Sequence, residues 1–232
     1  YLFVISSPMR CRPPLKTRLL KILAGILLAP YALALVYIVV IPPSTLMIAD
    51  LLSFRLPKRE WVSLSRISPN LVSAVLVAED SAFCDHWGFD FKQIEKSVDK
   101  AMDGKRYGGA STITQQTAKN LFLWNGRSWL RKLLEAPLAL WLEIVMSKRE
   151  ILEIYLNIAQ WGDGVYGAEA AAKFHFGTSA RALSLRQSAL LAASLPNPTR
   201  RSAARPGPGQ YMMAQAIEQR ARAHGADTSC LK

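Results

Sequence analysis

Acidic residues are missing from the first 49 positions of this 232-residue sequence, and from Ile22 to Ala49 charge of either sign is missing. About 28 uncharged positions exceed the roughly 20 that suffice to cross a hydrocarbon core. They also exceed the roughly 7 to 15 of a secretory h-region, and no small-x-small cleavage site follows, which argues against a removable signal peptide. The densest part, ILAGILLAPYALALVYIVVI, contains Pro30, which a bilayer helix tolerates, and stops at Pro42 and Pro43. The expectation is a transmembrane anchor over residues 22–45. Ahead of it, residues 1–21 carry Arg10, Arg12, Lys16, Arg18 and Lys21. By the positive-inside rule this basic segment stays in the cytoplasm and residues 46–232 lie across the membrane.

Cysteine is scarce too. Cys11, Cys84 and Cys230 have no metal-ligand spacing, which argues against a thiolate metal site, and three thiols cannot all pair. A bridge between Cys84 and Cys230 is open in an oxidising compartment, but unpaired buried thiols are the expectation. Alternating apolar and polar runs long enough for a strand are few, and no repeat is evident, so the fold class is mainly α. Acids are few overall: 17 Asp and Glu face 29 Lys and Arg, a net charge of +12. On a membrane-tied chain that excess points to anionic lipids or a phosphorylated lipid substrate, with no nucleic-acid partner.

What the chain does contain is a concentration of chemistry after the anchor. Ser68 and Pro69 read as N-cap and first residue of a helix running to about Glu79. That apolar helix finishes on two adjacent acids, Glu79 and Asp80, followed by Phe83, His86, Trp87 and Gly88. An exposed loop accounts for the acids but not for the aromatic and imidazole groups, so the segment reads as the wall of a site. The glycine-containing stretch DGKRYGGAST reads as a mobile loop that ends by capping a helix. In that helix Thr112, Gln115, Gln116 and Lys119 recur at three or four residues, an uncharged polar stripe that suits hydrogen bonding to a ligand or to other protein groups. Arg127, Arg131 and Glu135 follow at spacings of four. They read either as surface ion pairs or, with Lys119 and Lys132, as a positive pocket for a phosphate or diphosphate in which Glu135 orients a cation. Ser147 with Glu150, and Ser184 with Gln187, fit capping boxes. Gly177 and Gly225 read as helix stops, and YMMAQAIEQRARAHG as a last amphipathic helix.

In order along the chain, EDSAFCDHWGFD, GGASTITQQTAKNLF, RKLLEA and KREILEIYLNIAQWGDGVYGAEAAAKFHFG resemble the five motifs of the peptidoglycan glycosyltransferases, glycosyltransferase family 51. The likeness runs over about residues 61–206, and with little chain after it the monofunctional members are the expectation. The resemblance implies a lysozyme-like helical glycosyltransferase domain behind one N-terminal transmembrane helix. It implies polymerisation of lipid II into β-1,4-linked glycan strands by an inverting displacement that releases undecaprenyl diphosphate. It makes Glu79 the base and Glu135 a second essential carboxylate. It gives Lys119 and Arg127 to the donor diphosphate and Ser111, Gln115 and Gln116 to the substrate site, with Arg131 and Lys132 adding charge. Asp80, Phe83, His86 and Gly88 support the first motif. Leu134 stands where some relatives carry a basic residue, and Gln187 where many carry Glu.

No tightly bound cofactor or dedicated metal site is expected, although a divalent cation (Mg or Mn) could accompany the diphosphate. Partners are lipid II, the growing glycan chain, the membrane and other cell-wall synthase or division proteins. Two rivals stay open. A membrane-anchored lytic glycosidase would use a Glu on a helix but needs no diphosphate pocket. A catalytically silent scaffold needs neither Glu79 nor Glu135. Phe89, Phe91, Leu121, Phe122 and Trp124 are candidates to dip into the bilayer, or else core residues.

Overall fold

The computed structural model describes residues 14–104, 109–126 and 128–232. Cys11, the cations Arg10 and Arg12, most of the basic part of the glycine loop, and Arg127 lie outside these.

The first helix, α1, spans Leu15–Val36 and passes through Pro30 without a break; nearly all its side chains are exposed. Its 22 residues rise about 33 Å, enough for a hydrocarbon core of about 30 Å. The apolar run expected as one segment over 22–45 is therefore divided differently. The helix starts earlier, at Leu15, and Tyr37 closes it. Ile41 precedes Pro42 and Pro43, where the α conformation is disfavoured, and Ser44 then caps a separate helix, α2 (Thr45–Leu52), through a 3.2 Å bond from Met47 N to its Oγ. α1 is seated on the rest of the chain. Trp141 Nε1 donates to Tyr31 O at 3.1 Å, the two rings meet edge to face at 5.8 Å, and Tyr37 stacks on Phe122 at 6.0 Å.

After a two-residue strand, β1 (Lys58–Arg59), comes α3 (Pro69–Glu79), with Ser68 Oγ accepting from Asn70 N as expected of its cap. Its sequence is apolar nearly all round, and Leu71, Val72 and Ala74 through Val77 are all buried. α4 (Phe91–Met102), α5 (Ile113–Phe122), α6 (Trp129–Val145) and α7 (Lys148–Ile158) follow. Then β2 (Gln160–Gly162), β3 (Val165–Tyr166) and α8 (Ala168–Phe176) lead to α9 (Leu185–Ser194) and α10 (Pro208–Ala223). α3, α9 and α10 pack against one another, while α5 packs on α6 and α7.

Three expected features of the helices hold. Both capping boxes form, Ser147 with Glu150 and Ser184 with Gln187, so Gln187 serves as a cap. Gly177 takes the left-handed conformation at the end of α8, and Gly225, also left-handed, follows α10. A small sheet, order β1-β3-β2, was not legible because its strands are two or three residues long. Gly167 after it has φ +83°, and a Cβ there would lie 2.9 Å from Asn157 O, so only glycine lets the sheet turn onto α7.

The thiol expectation is corrected. Cys84 and Cys230 form a disulfide, joining the loop after α3 to the chain's last residues, which Arg149 also holds by donating to Leu231 O at 2.8 Å. Cysteines 146 residues apart give no spacing signal. Because the bridge restricts the unfolded chain, removing it with Cys84→Ser/Cys230→Ser, or by reduction, lowers the unfolding free energy by about 2–4 kcal/mol. Denaturant titration of the oxidised and reduced protein checks this; coincident curves would contradict it.

Candidate active site

The two adjacent acids do different work. Asp80, buried, closes the end of α3 by donating its N–H to Leu76 O at 2.8 Å. Its Oδ1 accepts from His86 Nε2 at 2.9 Å and its Oδ2 from Ile113 N, the first residue of α5, at 2.9 Å. A carboxylate at a helix N-terminus is favoured by the helix dipole and the unpaired N–H groups there. His86 is thus a loop-ordering residue. The rest of the first motif is built the same way. Phe83 is buried under the Lys148 ammonium, 4.4 Å from the ring centre. Gly88 has φ +77°, and its carbonyl accepts from Thr112 Oγ1 at 2.7 Å. Asp90 Oδ1 caps α4 by accepting from Gln93 N at 2.9 Å.

Glu79, the last residue of α3, is half-buried and lines a cleft. Its Oε2 accepts from Gln116 Nε2 at 2.8 Å, and Gln116 Oε1 in turn accepts from the buried Tyr155 hydroxyl at 3.2 Å. Burial pushes the Glu79 pKa above the ordinary glutamate value, against the opposing pull of the Gln116 hydrogen bond and the Lys119 charge.

The polar stripe on α5 meets protein groups, as its chemistry suggested. Thr112 and Gln115 form a capping box, Gln115 is buried, and Lys119 turns into the cleft. On α6, which starts after Ser128 as its spacing requires, Arg131 and Glu135 form an ion pair. Glu135 is only 3% exposed, so the surface ion-pair reading does not hold. Lys132 Nζ donates to Glu135 Oε2 at 2.9 Å, to Ser111 Oγ at 2.9 Å and to Gln115 Oε1 at 3.3 Å. Partial burial, then the repulsion of Arg131, lowers the pKa of both Lys119 and Lys132. The cluster carries more positive charge than its protein partners neutralise comfortably.

These side chains line one cleft of about 760 Å³, containing Glu79, Ser111, Gln115, Gln116, Lys119, Arg131, Lys132 and Glu135. Every described polar residue expected at the site is there except Asp80 and His86, which lie behind it. A smaller cavity of about 280 Å³ lies on the other side of Glu79, lined by Asp80, Ser81, Asp90 and Gln93. The opposite wall was missed: Leu195 and Pro196 after α9, and Met213, Ile217 and Arg220 of α10. The amphipathic pattern revealed the last helix but not which helix it would cover. Among the described residues no three His, Cys, Asp or Glu side chains converge as metal ligands, so any divalent cation would rely chiefly on oxygens of a bound phosphate.

Residues 47–224 match the family model described as Transglycosylase. The chain is 50% identical over 218 residues to the biosynthetic peptidoglycan transglycosylase of Rhizobium meliloti, covering 93% of this chain and 92% of that one. It is 52% identical over 219 residues to the protein of the same name in Agrobacterium fabrum, covering 94% and 97%. The Nitrobacter hamburgensis protein so named is 51% identical over 200 residues, covering 86% and 88%.

The division of labour between the two acids is testable by stability. Asp80→Ala leaves His86 and the start of α5 without their acceptor and lowers the unfolding free energy by about 2–4 kcal/mol. Glu79→Gln keeps a hydrogen-bonding group of the same size lining the cleft and changes it by under about 1 kcal/mol. Chemical denaturation of the two variants distinguishes them, and equal losses would refute the assignment.

Proposed function

The chain belongs to the transglycosylase family, and on that premise we propose that it is a peptidoglycan transglycosylase of cell-wall biosynthesis, polymerising lipid II in the cleft between α5, α6 and α10. The observation that carries this reading is the asymmetry around Glu79: Lys119, Arg131 and Lys132 gather in the main cleft beside the carboxylate, while the smaller cavity that adjoins it is lined by Asp80, Ser81, Asp90 and Gln93 with one cation, Arg220.

A sugar hydroxyl is a weak nucleophile, so a carboxylate that accepts its proton as the bond forms supplies about 10²–10⁴-fold. Glu79 takes the proton from the acceptor 4-hydroxyl, and Gln116, braced by Tyr155, keeps one of its oxygens aimed. That acceptor oxygen attacks the anomeric carbon of the donor, the bond to the diphosphate breaks, and the configuration inverts. Lys119, Arg131 and Lys132 receive the charge gathering on undecaprenyl diphosphate, a contribution of several kcal/mol when donors are fixed in advance. Glu135 holds Arg131 and Lys132 side by side. Arg127, by the family's pattern, joins this cluster.

The location follows from the same reading: α1 anchors the chain in the inner membrane, its basic end cytoplasmic and the cleft periplasmic. Of the five apolar groups considered for bilayer contact, Leu121 is buried, and Phe89 and Phe122 are packed against the core. Phe91 and Trp124 are exposed, as is a stripe on α6 of Trp129, Leu133, Leu140 and Ile144.

A lytic glycosidase also wants a glutamate with a raised pKa, but it has no use for three cations packed against one another. Purified full-length protein incubated in detergent with labelled lipid II separates the readings. Polymer forms with wild type, and Glu79→Gln reduces it by at least about 100-fold. Cleavage of preformed glycan without polymerisation would favour the glycosidase, and full activity of Glu79→Gln would sink the mechanism. Because the base works deprotonated and burial raises its pKa, the acid limb of the rate falls above the ordinary glutamate range. A limb at or below that range in the pH profile would contradict it. Lys119→Gln and Lys132→Gln each lower turnover by about 10–10³-fold and weaken stabilisation by inorganic diphosphate in thermal melts. Unchanged diphosphate binding in both would place that group elsewhere.

A further inference from the structure

We infer that Arg220 of α10 is a positioning residue for Glu79, a role that rests on the reading of Glu79 as the base. The last carbonyls of a helix have no partner within it. At the end of α3 the Leu76 carbonyl is taken by Asp80 N, and the Val77 carbonyl, two residues before Glu79, accepts from Arg220 Nη2. This bond ties the wall that carries the carboxylate to the wall opposite.

Three observations make that tie matter for chemistry. Arg220 lines both cavities that meet at Glu79. Among the described residues no carboxylate pairs with its guanidinium, so the carbonyl bond is what directs the side chain. And α10 is a fixed brace: Ala214 and Ile217 are buried, the helix packs on α3 and α9, and the Cys84–Cys230 bridge holds the chain just beyond it. Among the described residues Glu79 itself has one hydrogen-bond partner, Gln116. Its distance to an acceptor hydroxyl therefore depends on where the last turn of α3 rests. A guanidinium beside a helix C-terminus also offsets the negative end of the dipole next to a carboxylate that must stay charged to act.

A misplacement of about 1 Å at a reacting group costs up to about 100-fold. The test uses the full-length protein in detergent with lipid II, comparing wild type with Arg220→Met, which keeps the apolar stem and removes the donors. The expected result is a kcat lower by about 10-fold, with KM and thermal midpoint held, since loss confined to kcat marks an interaction needed in the transition state. A raised KM at unchanged kcat would make Arg220 a substrate-binding cation and overturn the inference, as would wild-type kinetics in the variant. If Arg220→Met does not fold, Arg220→Gln, whose shorter side chain stops short of the carbonyl, is judged by the same two constants. Wild-type polymerisation with an unaffected variant defeats only this inference; no polymer from wild type defeats the proposed function and this inference together.

Discussion

The buried carboxylate of Asp80 is the joint on which the site is assembled. A charge taken out of water is costly unless it is paired and hydrogen-bonded on every side. Here it is met by His86 and by the N-terminus of α5. The same group thus fixes the end of α3, the loop that follows it and the start of α5. The consequences run outward by helical geometry. Asp80 is the C-cap of α3, with φ −163° and ψ 76°, so its side chain leaves the helical spiral and is locked inward while Glu79, the last helical residue, lines the cleft. With Ile113 locked at the start of α5, Gln116, nearly one turn later, comes to lie against Glu79. Thr112 ties the far end of the loop at Gly88, where a Cβ would lie 3.4 Å from Glu143 of α6, so α6 is brought up to the same place.

Electrostatics then divides the space that packing creates. Lys119, Arg131 and Lys132 converge from two helices, and Glu135, nearly sealed from solvent, bridges only the last two. A fully neutralised network would be a structural ion-pair cluster with no call on a ligand. Among the described residues three cations share two carboxylates, Glu79 and Glu135, so this one is left short of negative charge; the pKa of both lysines is lowered, first by burial and then by the repulsion of Arg131. On the function proposed above, an incoming diphosphate supplies the missing anion, so binding and leaving-group stabilisation fall to the same residues.

Much of this was legible in the sequence because it is local. Caps at Ser68, Ser147 and Ser184, the apolar faces of α3, and the three- and four-residue spacings on α5 and α6 all depend on neighbours within one or two turns. The polar stripe from Thr112 to Lys119 was readable as a bonding face because uncharged amides are poor choices for a solvated surface. What was not legible depends on contacts between distant segments. Cys84 and Cys230, the strands around Gly167, and the crossing of α10 over α3 carry no periodicity that names a partner. The division between α1 and α2 was blurred for another reason: hydropathy runs continuously across Pro42 and Pro43, and only backbone geometry breaks it. Likewise, adjacent acids look equivalent in a sequence, and only tertiary placement shows that Asp80 holds the frame while Glu79 faces the cleft.

The proposed anchor, α1, and the residue that closes it contact the two helices that carry the cations, which has a geometric meaning for the lipid-linked substrate proposed above. Trp141, which bonds α1, is ten residues from Arg131 along α6, a rise of about 15 Å. Phe122, which stacks on Tyr37 of the anchor end, lies three residues from Lys119. Both cation-bearing helices therefore reach from the anchor to the cleft with no flexible joint between. In the proposed reaction the polyprenyl chain stays in the bilayer and its diphosphate at headgroup depth, so the cations must be held at a set height above the hydrocarbon. Building α5 and α6 directly onto α1 sets that height by packing rather than by the length of a linker.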